Sequence, residues 1–189
     1  MQQATDQGSV VKPYALDVIR HWPRVAREAA YHVILVHRQP HVVEPDMLEW
    51  HGIGPWKRVT VAADAEDPDD VVESVIEATV PADRRGDVAA VAAEFRVHVG
   101  SGDELAVRGR DLAGNVITLN ILHELVEGTL TPDDARDRRA LDMADLRAGR
   151  PPVTAETCRF ADDAPHGEPR TVGSRRLASD LRARGRRTG

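Results

Sequence analysis

The chain has 189 residues, of which 41% are hydrophobic and 30% charged, with a formal net charge of −6, the composition of one folded domain with appendages. The charge is segregated: residues 170–189 carry +6 and the remainder −12, so the body lacks the basic surface that phosphate-backbone binding needs, which disfavours nucleic acid as a partner. A single cysteine, Cys158, excludes an intramolecular disulfide. The absence of a basic-then-apolar leader, and of any apolar run near the roughly 20 residues that span a bilayer, predicts a soluble cytoplasmic protein with no membrane partner.

Residues 1–12 are polar and read as a flexible N-terminus. Leu16 and Ile19 begin a helical spacing that breaks at Pro23; a proline in a first turn then opens a helix over 23–37. Residues 38–45, with two prolines, read as a connector. Leu48 to His51 and Lys57 to Val61 alternate apolar and polar, the period of half-buried strands. The stretch 52–56 between them, Gly-Ile-Gly-Pro-Trp, predicts a wide hairpin loop. Leu48, Trp50, Val59 and Val61 then face a core, while Glu49, His51, Arg58 and Thr60 face away. After an acidic loop (64–70), residues 71–80 fit a helical turn or a strand, and the alternation from Ser74 to Val80 ending at Pro81 favours the strand.

An Ala-rich helix is expected over 81–94. A second hairpin follows, in which Phe95, Val97 and Val99 alternate with Arg96 and His98, a Gly-Ser-Gly-Asp turn reverses the chain, and Leu105 and Val107 alternate with Arg108 and Arg110. Residues 112–128 form the most apolar helix, with Asp111 as N-cap and Gly128 just past its end. Thr131-Pro-Asp-Asp opens a last helix reaching about residue 148. From Gly149, prolines, glycines and arginines predict an extended tail (149–189), whose 175–187 stretch suits a short basic helix on contact with a partner. Strands and helices do not alternate one for one. The expected fold is therefore a single α+β domain (13–148): an antiparallel sheet of two hairpins plus one strand, with helices on one face.

If both hairpins join one sheet, its outward face gathers Arg58, Arg96, Arg108, Arg110, His51 and His98 on an otherwise acidic body. Guanidinium forks suit sulfate, phosphate or carboxylate, and an imidazole nearby can take a proton at neutral pH. The competing explanation is a solvated sheet face covered by long side chains. On the apolar helix, Asn120 and His123 stand three residues apart and share a side. They either tie down neighbouring loops or form a pocket wall with His123 as base and Asn120 as donor. Other motifs fail on spacing. His123-Glu-Leu-Val-Glu lacks the second His of a zinc-protease helix, His32, His37 and His41 lack completing ligands, and Gly52-Ile-Gly54 is too short for a dinucleotide fingerprint. Ser101 lacks a nucleophile-elbow context and Cys158 has no His beside it. No metal and no cofactor are expected.

The pattern Leu48-x-Trp-His-x-x-Gly-Pro-Trp-Lys-Arg58, Val80-Pro81, Leu119-Asn120-x-x-His123 and Thr131-Pro-Asp-Asp-Ala135 resembles a family of small, largely uncharacterised bacterial proteins, over about residues 23–140. The chain departs from that pattern in the second hairpin, which is richer in Arg. A fainter resemblance is to the small partner proteins of sulfotransferase-like enzymes in actinobacterial natural-product pathways, whose product is an aziridine closed by displacement of sulfate. That resemblance implies a cofactor-independent, lyase- or cyclase-type enzyme of bacterial secondary metabolism acting on an anionic small molecule. The expected site is then His51 and His123 as catalytic bases, with Trp56, Lys57, Arg58, Arg108, Arg110 and Asn120 binding substrate. Ring closure of this kind needs orientation and charge stabilisation more than a cofactor. The alternative is a non-catalytic subunit that docks a biosynthetic enzyme, or a homo-oligomer.

Overall fold

The computed structural model describes residues 14–100 and 103–161; residues 1–12, Ser101 and the Arg-rich end of the expected tail lie outside them. In chain order the elements are α1 (Ala15–Ile19), α2 (Arg24–His37), β1 (Val42–Val43), β2 (Met47–Ile53), β3 (Trp56–Ala62), β4 (Val72–Glu77), α3 (Arg85–Phe95), β5 (Val97–Val99), β6 (Glu104–Gly109), α4 (Leu112–Val126) and α5 (Pro132–Arg147), then two 3₁₀ turns, Val153–Ala155 and Arg159–Ala161. The strands form one sheet in the order β1-β2-β3-β4-β6-β5, every pair antiparallel. The class is α+β, as the sequence predicts, and the two hairpins do share a sheet.

Its details differ from expectation in three places. First, part of the 38–45 connector is β1, an edge strand pairing Val42 with Glu49 and Val43 with Leu48. Second, the first hairpin is tighter than its glycines suggest. Ile53 pairs with Trp56, which leaves only Gly54 and Pro55 as the connection. Gly54 at φ +55° supplies the positive φ that a two-residue turn asks of its first central position, and Pro55 takes the negative φ after it. Third, the single strand begins at Val72 rather than Ser74 and lies between the two hairpins, so Glu73, Val75 and Glu77 join the outward face.

Alternation decides the two faces. Leu48, Trp50, Val59, Val61, Val72, Ile76, Leu105 and Val107 are all 2% exposed or less and point to the helical layer. Burying each such side chain contributes roughly 1.5–3 kcal/mol. Helix α4 covers this face, with Ile117, Leu119, Ile121, Leu122 and Leu125 fully buried. The buried Asn115 is satisfied where α4 meets the sheet: its Nδ2 donates to Ser74 Oγ at 2.9 Å and to Val72 O at 3.2 Å. The helix ends follow the sequence. Asp111 Oδ1 accepts from Gly114 N at 2.8 Å, Gly128 turns past α4 at φ +74°, and Thr131 and Asp134 form a capping box at α5 with Pro132 in the first turn.

Phe95, expected in a strand, is instead the last residue of α3 and fully buried. The chain reverses at Arg96, which adopts the left-handed conformation (φ 55°), a strained choice for a non-glycine residue. The segment expected to begin an extended tail also differs. Residues 150–161 are bound to α4, with Cys158 and Phe160 buried. Asn120 Nδ2 donates to Thr154 O at 2.8 Å and Thr157 O at 2.6 Å, and its Oδ1 accepts from Arg159 N at 2.7 Å. Prolines 151 and 152 end α5's neighbourhood without ending the domain.

Candidate functional site

Two cross-strand rows organise the outward face. In one, Glu49 stands opposite Thr60, Thr60 opposite Glu73, and Glu73 opposite Arg108. In the other, His51 stands opposite Arg58, Arg58 opposite Val75, Val75 opposite Ala106, and Ala106 opposite His98. Neighbouring strands lie about 4.8 Å apart, so His51 and His98 are separated by roughly 19 Å and cannot touch one small molecule together. Between them lies an open groove of about 560 Å³. Val75 and Ala106 form its floor, and Arg58, Arg96, His98 and Arg108 stand with Glu73 and Glu104 around it.

Glu73 is the centre of this groove. Its Oε1 accepts from Arg58 at 2.8 Å and its Oε2 from Arg108 Nε at 2.9 Å. Burial pushes the Glu73 carboxyl pKa up, but the hydrogen bonds and charges of Arg108 and Arg58 outweigh this and hold it below the ordinary carboxylate range. One carboxylate with both oxygens engaged thus fixes two guanidiniums beside each other, while N–H groups on both remain unspent.

At the β2 end, Glu49 Oε1 lies 2.8 Å from His51 Nε2, and its Oε2 accepts from Thr60 Oγ1 at 3.3 Å. The imidazole and the carboxylate are thus held against each other at the edge of this face, a pairing of the residue types that exchange protons near neutral pH. The backbone N–H of His51 donates to His41 Nδ1 at 3.0 Å, and the two rings lie 5.7 Å apart. His41 comes from the loop before β1, which gives that segment a place at the site.

The remaining sequence-predicted residues are dispersed. Lys57 is ion-paired with Glu104 and, at 3.6 Å, with Glu77; the Glu104 hydrogen bond and charge raise its pKa. Arg110 lies beyond the end of β6, 3.5 Å from Asp69 and half exposed. Arg96 is tied to Asp67 and Asp70 of the acidic loop, both at 2.6 Å, which holds its unusual backbone in place. Trp56 is buried in the core, at 4% exposure, so it shapes the hairpin from inside and presents no ring to a ligand. Asn120 spends both donors and its acceptor on residues 154–159 and has nothing left for a substrate. His123 packs edge-on against Phe160, ring centroids 4.9 Å apart. It belongs to α4, on the opposite side of the sheet from Arg58, so His51 and His123 cannot serve one reaction centre.

Beyond Glu49, the sequence-based expectation omits the acids of this face. Glu73, Glu77 and Glu104 face the same way as the arginines, so the outward face is a mosaic of paired charges instead of a uniformly basic wall. The signal was present, because Glu73 and Glu77 alternate with Val72, Ser74 and Ile76. A strand starting at Ser74 leaves Glu73 out. Among the described residues, no group of His, Cys, Asp and Glu is arranged to hold a metal ion, and no helix is long and apolar enough to cross a membrane. Comparison of the chain with family models, with curated proteins and with solved structures gives no match.

Proposed function

We propose that the outward sheet face binds an anionic small molecule, with the anion held between Arg58 and Arg108 and the organic part over Val75 and Ala106. The observation that carries this reading is the clamp at Glu73, which orients two guanidiniums over an apolar floor. Preorganised donors of this kind bind and stabilise negative charge without first having to be ordered. Beside Arg58, the Glu49–His51 pair supplies a base.

The reaction class that such a set suits is intramolecular displacement of sulfate, without a cofactor. An amine nitrogen attacks a carbon bearing a sulfate ester, the C–O bond breaks, and sulfate leaves with the bonding pair toward Arg58 and Arg108. The proton released from nitrogen passes to the His51 imidazole. Orientation and charge neutralisation would supply most of the rate. The competing reading is a docking face for a biosynthetic partner enzyme. It is favoured by the openness of the groove and by the carboxylate beside each groove arginine.

Ligand-observed NMR on pooled anionic metabolites, tested against wild type, Arg58→Ala and His51→Ala, separates the two. Under the enzyme reading, wild type retains and converts a component, Arg58→Ala retains none, and His51→Ala binds without converting. If wild type and Arg58→Ala give the same spectra, while a protein partner is lost on Arg58→Ala, the face is a docking surface.

A further inference from the structure

We propose that the cleft between the end of β6 and helix α5 is a second anion site. It would take the phosphoryl or sulfuryl group of a small molecule on the guanidiniums of Arg139 and Arg147. The cleft has a volume of about 630 Å³, and both arginines line it together with Met143 and Leu146.

The charged groups around this cleft are unequally paired. Arg108, Arg96 and Arg110 also reach this cleft, but they already face Glu73, the Asp67–Asp70 pair and Asp69. The acids of the cleft are equally committed. Asp111 caps α4 through Gly114 N, and Glu94 receives Arg136 Nε at 3.0 Å. Arg139 is different. It is partly buried, stacked 4.8 Å over the Phe95 ring, and its Nε donates to the buried Thr118 Oγ1 at 3.1 Å. It has no carboxylate within ion-pair distance among the described residues, and its two terminal nitrogens have no protein acceptor there.

Taking a guanidinium partly out of water without a counter-charge is unfavourable, and a bound anion would offset that cost. Burial lowers the Arg139 pKa most; the distant Glu94 raises it, and Arg96 and Arg147 lower it further. Thr118, whose hydroxyl also donates to Gly114 O at 3.0 Å, fixes the guanidinium plane through Nε. That leaves the NH1–NH2 edge for the bidentate contact that a tetrahedral oxoanion accepts. Exposed Arg147 closes the site from the last turn of α5. Met143 and Leu146 offer an apolar wall to the organic part of the ligand.

Inorganic phosphate and, separately, inorganic sulfate titrated at constant ionic strength against 15N-labelled protein test the site. The expected result is saturable shifts at the Gly114 and Thr118 amides and at Arg139 Nε for at least one of the two anions, and the anion that saturates identifies the ligand group. Affinity should weaken about tenfold in Arg139→Gln and in Arg147→Gln and stay unchanged in Arg58→Ala. Arg139→Lys keeps the charge but loses the fork, and should weaken binding as well. Should Arg139→Gln fail to fold, Arg147→Gln carries the test, because Arg147 is exposed. Shifts that follow chloride equally, or that Arg58→Ala abolishes while Arg147→Gln does not, would overturn the proposal.

Discussion

Asn120→Ala separates a structural role for this residue from a substrate-binding one. The side chain is 1% exposed and makes three hydrogen bonds, at 2.8, 2.6 and 2.7 Å, to the backbone of Thr154, Thr157 and Arg159. At about 1 kcal/mol net for each bond, truncation removes roughly 3 kcal/mol. The orphaned carbonyls recover part of that if the segment detaches into water. A loss of 2–4 kcal/mol is therefore expected, a large share of the ~5–15 kcal/mol that holds a domain together. The same detachment should expose Cys158, now 5% exposed. Urea unfolding gives the first quantity and the rate of thiol labelling by a disulfide reagent under native conditions gives the second. The variant should show a lower midpoint and faster labelling, with the fastest new hydrogen exchange in residues 153–160. Unchanged midpoint and labelling would refute the latch and return Asn120 to the list of substrate contacts.

Other outcomes follow from particular contacts. In Gly109→Ala, the new Cβ would stand 2.3 Å from Asn115 Oδ1, and Asn115 is held by Ser74 and Val72; thermal unfolding should show a loss of about 1–3 kcal/mol, the usual cost of overpacking. Thr131→Ala removes the capping box of α5 and should cost ~1 kcal/mol in the same assay. Because the folded-state pKa of Glu73 is lowered, the stability it contributes is present above its ordinary value of 4.5 and is lost as pH falls through the folded value. Glu73→Gln should therefore flatten the acid limb of a stability-versus-pH curve below about pH 4.5, and a limb of unchanged slope would show that the clamp adds nothing.

The strands and helices that bury one clean face were legible from periodicity alone. Leu48, Trp50, Val59 and Val61 face the core, and Asp111, Gly128 and Thr131 sit at the helix ends as their chemistry requires. What escaped were features set by tertiary partners. The two residues of β1 are too short to show a period, and they are a strand only because β2 is beside them. Residues 153–161 read as tail because Gly149, Pro151 and Pro152 just before them break the helical pattern, yet Asn120 and the buried Phe160 hold them. The tight turn at Gly54-Pro55 was missed because Gly52, also at positive φ, made the loop look wider. For the site, His51, Arg58 and Arg108 were correctly placed on one face. His123 and Asn120 were drawn to it by sequence spacing, which cannot say on which side of a sheet a helix packs.

The central claim is that Arg58 and Arg108, fixed by Glu73, form an anion-binding pair over Val75 and Ala106. A titration with inorganic sulfate at constant ionic strength, read at the Val75 and Ala106 amides, tests it most directly. Wild type should saturate, and Arg58→Ala and Arg108→Ala should each weaken binding about tenfold, the worth of one charge-assisted hydrogen-bonding group. Amide shifts that never saturate, or that give the same affinity in all three proteins, would contradict the account.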